Sequence, residues 1–353
     1  MRIKSVSRSS SSSAQSPSRS SSKLRARRSS SQSKQRRVVE TPTLPKLPPS
    51  HRLATYDELN AHPDYSYLAD SSYIISGYRW QGGLRAATSS LFSLHNETAN
   101  VFTHLAGAVV FGILLGALLI GGPSLVLKLE ADVVSSSERH LPTWPLAVFL
   151  CGATLCLGLS AVYHLLAPTS REYARFLQRL DYSGISALIF TSNVPAVIYV
   201  FACDPLIASF YVVFAALANG VCVVMGLTDR FASSKYRGYR AAAFSIAGIS
   251  GTFPLIHALI NVQHRTNIDP KEYRAITSFA LGLLSMGAQY LIGAFLYAMR
   301  LPERWARGRF DYFSSHSLFH CLVVTAAATH WETIKQLYIW RAEEAQCGGA
   351  SGI

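Results

Sequence analysis

Histidines 316 and 320 stand four residues apart in Ser315-His316-Ser317-Leu318-Phe319-His320. On a helix that spacing turns both imidazoles to one face, and two such rings can share a metal ion. Alone, an HxxxH pair is a weak signal. A third histidine, His164, closes an apolar run in Ser160-Ala161-Val162-Tyr163-His164. Three histidines with one open coordination position form the pattern of a catalytic zinc site, where bound water loses its proton near neutrality. Asp181 is placed to orient that water or relay its proton. Ser160, one turn before His164, could donate a hydrogen bond to a polarised carbonyl. The competing reading makes each histidine a hydrogen-bonding residue between helices. For one isolated histidine that is the better reading; His104, His257 and His330 lie at other depths or faces and are read as packing or network residues.

The elements that must position these residues are membrane helices. Of 353 residues, 49% are hydrophobic and only 15% charged, against about 25% charged in a soluble domain. Apolar runs lie near 99–121, 144–166, 180–202, 206–228, 240–261, 275–299 and 313–333. Each is about 20 residues long, enough at 1.5 Å per residue to cross a hydrocarbon core of about 30 Å. The expected fold is all-α, a seven-transmembrane helix bundle occupying residues 98–335. Pro195 and Pro254 predict kinks. Asn219, Gln289 and the small residues Gly248, Gly251, Gly287 and Gly293 suit helix–helix packing.

Loop charge gives the orientation. With the N-terminus inside, the inner loops hold Arg171, Arg175 and Arg179, then Arg230, Lys235, Arg237 and Arg240, then Arg300, Arg304, Arg307 and Arg309. The outer loops hold Lys128, Arg139, Arg265, Lys271 and Arg274. The positive-inside rule then sets the N-terminus in the cytosol and the C-terminus outside or in a lumen. That is the reverse of an ordinary G-protein-coupled receptor. It also brings the end of the second span, the start of the third and the start of the seventh to one membrane face. His164, Asp181, His316 and His320 therefore share one depth. Ionisable groups inside a bilayer are costly, which makes them functional candidates.

Residues 1–50 carry twelve Lys or Arg, one acid (Glu40) and, within the first 34 positions, sixteen serines. Such a stretch cannot bury enough apolar surface to offset its ordering entropy and is expected to be a disordered tail. Its charge suits anionic membrane lipid, and its Arg-Ser spacing suits phosphorylation. It lacks the interleaved aromatics of a nucleic-acid binder. Residues 51–97 are rich in Tyr and Trp and read as a cytosolic juxtamembrane cap or helix. Residues 336–353 are a short C-terminal tail. The six cysteines show no CxxC pair and no framework spacing, so packed thiols are expected. No signal peptide is visible. The protein is expected to be integral and multi-pass, in the plasma membrane or an endomembrane.

Five stretches in order resemble the progestin and adipoQ receptor family, also called adiponectin-receptor or hemolysin III-like. They are Ser93-Leu94-His95-Asn96-Glu97-Thr98-Ala99-Asn100-Val101-Phe102-Thr103-His104, Ser160–His164, Leu180-Asp181-Tyr182-Ser183-Gly184-Ile185, Pro302-Glu303-Arg304 and Ser315–His320. The resemblance covers roughly residues 75–335. It implies zinc held by His164, His316 and His320, with Asp181 near the metal water. The chain is similar also to the wider superfamily of membrane hydrolases that includes alkaline ceramidases, in which Ser160 matches a signature serine. The implied reaction is hydrolysis of a ceramide-like lipid amide to a fatty acid and a sphingoid base. The alternatives are a signalling receptor with structural zinc, whose protein ligand the sequence does not reveal, and a transporter or pore. Two positions depart from the family pattern: Thr169, where many relatives have a second histidine, and Ser317, where Gln is common.

Overall fold

The computed structural model describes residues 47–48, 52–80, 82–127, 141–228, 231, 234–264 and 270–343. The basic tail, apart from Leu47 and Pro48, lies outside the described residues, as do Lys128, Arg139, Arg230, Arg265, Cys347 and the chain after Glu343. No strand occurs among the described residues, only an isolated antiparallel bridge between Ala54 and Tyr78.

Two short helices, α1 (Tyr56–Asn60) and α2 (Leu84–Ser89), precede the long ones. These are α3 (Thr98–Leu127), α4 (Trp144–Leu166), α5 (Arg171–Val200), α6 (Pro205–Leu227), α7 (Arg237–Ser250), α8 (Thr252–Gln263), α9 (Pro270–Met299) and α10 (Ser315–Glu343). By length and composition α3, α4, α5, α6, the α7–α8 unit and α9 can each cross a membrane. Their outward faces are apolar and exposed, as at Val110, Ile113, Leu217, Val221, Leu284 and Phe295. Lipid is the medium in which such surface carries no penalty.

The seventh long helix, α10, is long enough to span but less apolar, because it carries His316, His320, His330, Glu332 and Lys335. Its position explains its composition. It packs against α9, α3, α4 and α5, closing a ring in which α3, α4, α5, α6 and α7 are sequential neighbours. A helix enclosed by protein needs partners for its polar groups rather than an apolar face. His330, for example, shares a 2.9 Å hydrogen bond with the Ser192 carbonyl.

The breaks follow backbone chemistry. Apolar span one ends where Gly122 takes φ 68°, just before Pro123. Span five is split at Gly251, with α7 ending at Ser250. Pro254 has no N–H to give the Ser250 carbonyl four residues earlier, so the helix is interrupted there. Pro195 is accommodated inside α5 without a break. That helix starts at Arg171, ahead of the apolar run expected from residue 180, because Ser170 caps it by accepting from the Tyr173 N–H. Asp181 therefore lies in the third turn rather than at the opening.

The juxtamembrane segment folds into a cap. Ala54, Leu59 and Tyr78 form a small core on which Leu47, Tyr56, Leu68 and Trp80 pack. Thr55 and Glu58 make a reciprocal capping box at the start of α1. The cap is fastened to the bundle end that carries the arginine-rich α4–α5, α6–α7 and α9–α10 connections. Asp311 accepts from the Ile75 N–H (3.0 Å) and the Ser76 hydroxyl (2.6 Å), and Arg237 pairs with Asp70. Gly77 holds φ 85°, a conformation side chains disfavour, while its carbonyl accepts from the Asn96 N–H at 2.9 Å.

One expectation about the cysteines is corrected. Cys151, Cys156, Cys222 and Cys321 are free thiols within helices, but Cys203 is disulfide-bonded. It lies in the α5–α6 connection, outside the apolar runs and the helices that hold the four free thiols.

Candidate metal centre

Helices α4 and α10 bring His164, His316 and His320 together, with one ring nitrogen from each lying within 4.8 Å of the others. The Nε2 atom of His316 is 3.2 Å from that of His164 and 3.0 Å from that of His320. Three donors converging on one point are hard to explain as a hydrogen-bond network, since each neutral ring has one proton and one lone pair. The Nδ1 positions sharpen this. His164 Nδ1 lies 2.7 Å from Glu97 Oε2, and His320 Nδ1 lies 3.1 Å from the Asn100 carbonyl. Both acceptors hold the proton on Nδ1 and leave the Nε2 lone pairs aimed inward. This is the outer-shell arrangement of metal-binding histidines. Zinc–nitrogen bonds of about 2.0–2.1 Å at the tetrahedral angle set nitrogens roughly 3.3–3.4 Å apart. The His316 distances to His164 and His320 come within a few tenths of an ångström of that spacing, and all three nitrogens lie within 4.8 Å of one another.

The surrounding residues are ordered by hydrogen bonds. Asn100 donates from Nδ2 to Glu97 Oε2 at 2.6 Å, and its Oδ1 accepts from the Ser317 hydroxyl at 2.8 Å. The departure from the family pattern at Ser317 thus has a defined role here. Glu303 receives the Ser315 N–H (2.8 Å) and hydroxyl (2.5 Å), fixing the first turn of α10 from which His316 projects. His104, expected as a packing or network residue at another depth or face, packs against the site itself, its ring stacked on His320 with centroids 3.6 Å apart.

Glu97 and Asn100 escaped notice as site residues although they sit in the stretch Ser93–His104. A signal was there: a carboxylate and an amide three residues apart beside the first span, in a chain with few such groups near its apolar runs. His95 is also buried, and its Nδ1 accepts from the Glu97 N–H at 3.1 Å. Burial lowers its pKa to about 4, with Arg79 adding to the effect. The ring is therefore neutral at pH 7, as that acceptor role requires.

Asp181 and Ser160 meet beside the histidines. The Asp181 carboxyl is buried, lies against the Ser160 hydroxyl and feels His164 and Arg240. A cavity of about 590 Å³ reaches Glu97, His164, Asp181 and His316. Its walls also include Tyr163, Tyr182 and Tyr297, and the cap residues Tyr67, Tyr78 and Arg79. His320 and Ser160 stand behind this lining. The arrangement offers a buried carboxyl and two of the three converging imidazoles at the wall of one half-open, partly polar space.

Residues 92–331 match the family model described as haemolysin-III related. The chain is 33% identical over 284 residues to the adiponectin receptor protein of Drosophila melanogaster, covering 80% of this chain and 60% of that one. It is 34% identical over 282 residues to heptahelical transmembrane protein 1 of Arabidopsis thaliana, covering 78% and 79%. It is 35% identical over 285 residues to the progestin and adipoQ receptor-like protein 1 of Caenorhabditis elegans, covering 80% and 61%. The match thus spans about three fifths of the two animal proteins and most of the plant one. With a family match that takes in Glu97, Ser160, His164, Asp181, His316 and His320, and relatives named for seven helices, this chain belongs to the haemolysin-III related family of multi-pass membrane proteins.

Proposed function

We propose that the chain is an intramembrane zinc hydrolase that cleaves ceramide-like lipid amides to a fatty acid and a sphingoid base, in lipid signalling or metabolism. The observation that supports it is the convergence of three Nε2 atoms beside a buried carboxyl, with His164, His316 and Asp181 lining one cavity. His164, His316 and His320 would hold the zinc ion, which when bound would supply the Lewis acidity that makes water nucleophilic near neutral pH. Glu97 and the Asn100 carbonyl keep two of the rings in the ligating tautomer. Asp181 takes up the proton that the attacking water loses and returns it to the departing amine. Ser160 orients the Asp181 carboxyl, against which its hydroxyl lies. The tyrosines of the cavity wall give a substrate amide polar contacts at the end of an otherwise apolar chain.

The same reading sets the histidines on the cytosolic side, with the N-terminus inside. The arginine-bearing connections share their end of the bundle, and disulfide-bonded Cys203 is at the opposite end. Disulfides persist in oxidising compartments, which the cytosol is not. The receptor names of the animal relatives favour a second reading, a signalling receptor whose zinc is structural.

Detergent-purified wild type is compared with His164→Ala and Asp181→Asn for zinc content and ceramide hydrolysis. The hydrolase reading expects about one zinc and turnover in wild type, neither in His164→Ala, and zinc without turnover in Asp181→Asn. Zinc without turnover in wild type selects the receptor. A folded, zinc-free wild type overturns the metal centre.

A further inference from the structure

The last turn of α4 carries His164 and has a defect written into the sequence. A helical carbonyl is normally satisfied by the N–H four residues later. For the His164 carbonyl that residue is Pro168, which has no N–H. The next carbonyl, of Leu165, falls where the helix tightens into a 3₁₀ turn at Ala167–Thr169. Both oxygens are therefore orphaned at a helix end packed inside the protein.

The donor that fills the gap comes from the cap. Arg79 is buried, 8% exposed. Its Nη2 donates to the His164 carbonyl at 2.5 Å and its Nη1 to the Leu165 carbonyl at 2.9 Å. Nη1 also donates to the Ser90 hydroxyl at 2.7 Å, which anchors the group between α2 and α4. A cation at a helix C-terminus gains from the helix dipole as well. Arg79 follows Tyr78, the residue bridged to Ala54 in the cap core. The backbone of the candidate ligand is thus held by the cap, 85 residues away in sequence.

We propose that Arg79 is the positioning residue for His164: it replaces the helix hydrogen bond that Pro168 cannot make and so couples folding of the cap to the affinity of the metal centre. The proposal rests on the metal reading above. Without the guanidinium, the last turn of α4 frays and the His164 ring loses its fixed place between Glu97 and His316. Metal-site outer-shell partners typically change affinity 10–100-fold, and a loss in that range is expected for Arg79→Ala. Arg79→Lys, which can reach one carbonyl, recovers part of it.

The test uses full-length detergent-purified protein and two readouts. One is zinc affinity by chelator competition. The other is hydrogen exchange of the peptide covering residues 160–169, which does not depend on metal chemistry. Arg171→Ala is the control, since Arg171 ties the cap to the bundle through the Pro63 carbonyl and the Ser66 hydroxyl without touching the α4 carbonyls. Expected are weaker zinc binding and faster exchange in Arg79→Ala, intermediate values in Arg79→Lys, and near wild-type values in Arg171→Ala. Wild-type affinity and exchange in Arg79→Ala overturn the proposal. Equal losses in Arg171→Ala also overturn it, because general loosening of the cap would then suffice. If wild type binds no zinc, the metal reading falls, and the exchange data alone decide whether Arg79 holds the turn.

Discussion

Glu97 is the residue whose removal most directly tests the construction of the metal centre. Its carboxylate accepts from His164 Nδ1 at 2.7 Å and from the Asn100 amide at 2.6 Å. In Glu97→Gln the side-chain oxygen can still accept from Nδ1, so tautomer and ring orientation survive while the negative charge is lost. In Glu97→Ala both are lost and the Nδ1–H is left buried without an acceptor. Hydrogen bonds to charged groups contribute about 1.5–3 kcal/mol, and outer-shell losses of 10–100-fold correspond to about 1.4–2.7 kcal/mol. The order expected for zinc affinity is therefore wild type, then Glu97→Gln about tenfold weaker, then Glu97→Ala about a hundredfold weaker. Competition against a chromogenic chelator at fixed pH reads this directly, with size-exclusion profiles verifying that each variant is folded. A Glu97→Ala protein that holds zinc within twofold of wild type would show that the carboxylate does not orient His164. The tautomer argument for the whole site would then fail.

Other outcomes follow from the same geometry. Asp181→Asn keeps about one zinc per chain yet loses ceramide turnover by at least a hundredfold, read by product release; loss of zinc instead would make Asp181 a structural residue. Gly152→Ala lowers thermal stability by about 1–3 kcal/mol, because a Cβ there would lie 1.9 Å from Thr191 Oγ1 and 2.7 Å from its Cβ. Adding Thr191→Ala restores part of the melting temperature, and no restoration would refute the contact. His95 is neutral when folded down to about pH 4 but takes a proton near 6.5 when unfolded. Its stabilising contribution is therefore complete above 6.5 and declines as pH falls from there towards 4. The difference in melting temperature between wild type and His95→Asn, measured in detergent from pH 7 to 5, should shrink; a constant difference contradicts this.

The sequence made the bundle legible because the bilayer imposes length. A 20-residue apolar run has few alternatives, and the expected span ends near residues 121, 166 and 202 fall within two residues of Gly122, the α4 terminus at Leu166 and the α5 terminus at Val200. The same logic placed His164, His316 and His320 at one depth, since a helix end is tied to a membrane face. Rotation about the helix axis was not legible at His104. The stack on His320 depends on how α3 and α10 meet, and period-3.6 patterning is weak in helices surrounded by both lipid and protein. The third turn of α5 illustrates a different gap: a polar N-terminal extension, capped by Ser170, continues a membrane helix outside the apolar run that hydropathy detects.

The cap was the least legible part, and it carries the hydrogen bonds that order the site. Its aromatic content read as a preference for the headgroup zone, yet Tyr78 is 4% exposed and lies in a packed cluster. Composition alone cannot separate an aromatic side chain at an interface from one in a small core. What distinguishes them is the set of polar commitments around them. Asp311 takes two donors from residues 75 and 76, Asp70 pairs with Arg237, and Arg79 spans to the α4 carbonyls. Each of these partners is more than 80 residues away in sequence, beyond any local pattern. One local clue does exist, in Pro168 four residues after His164. A proline at that offset guarantees that the ligand's own carbonyl lacks its helical donor. A buried carbonyl left so must find a donor elsewhere, and a basic residue outside the membrane span is the nearest chemistry able to give two hydrogen bonds at once. An orphaned carbonyl on a candidate ligand thus points, from sequence, to a guanidinium in the juxtamembrane segment.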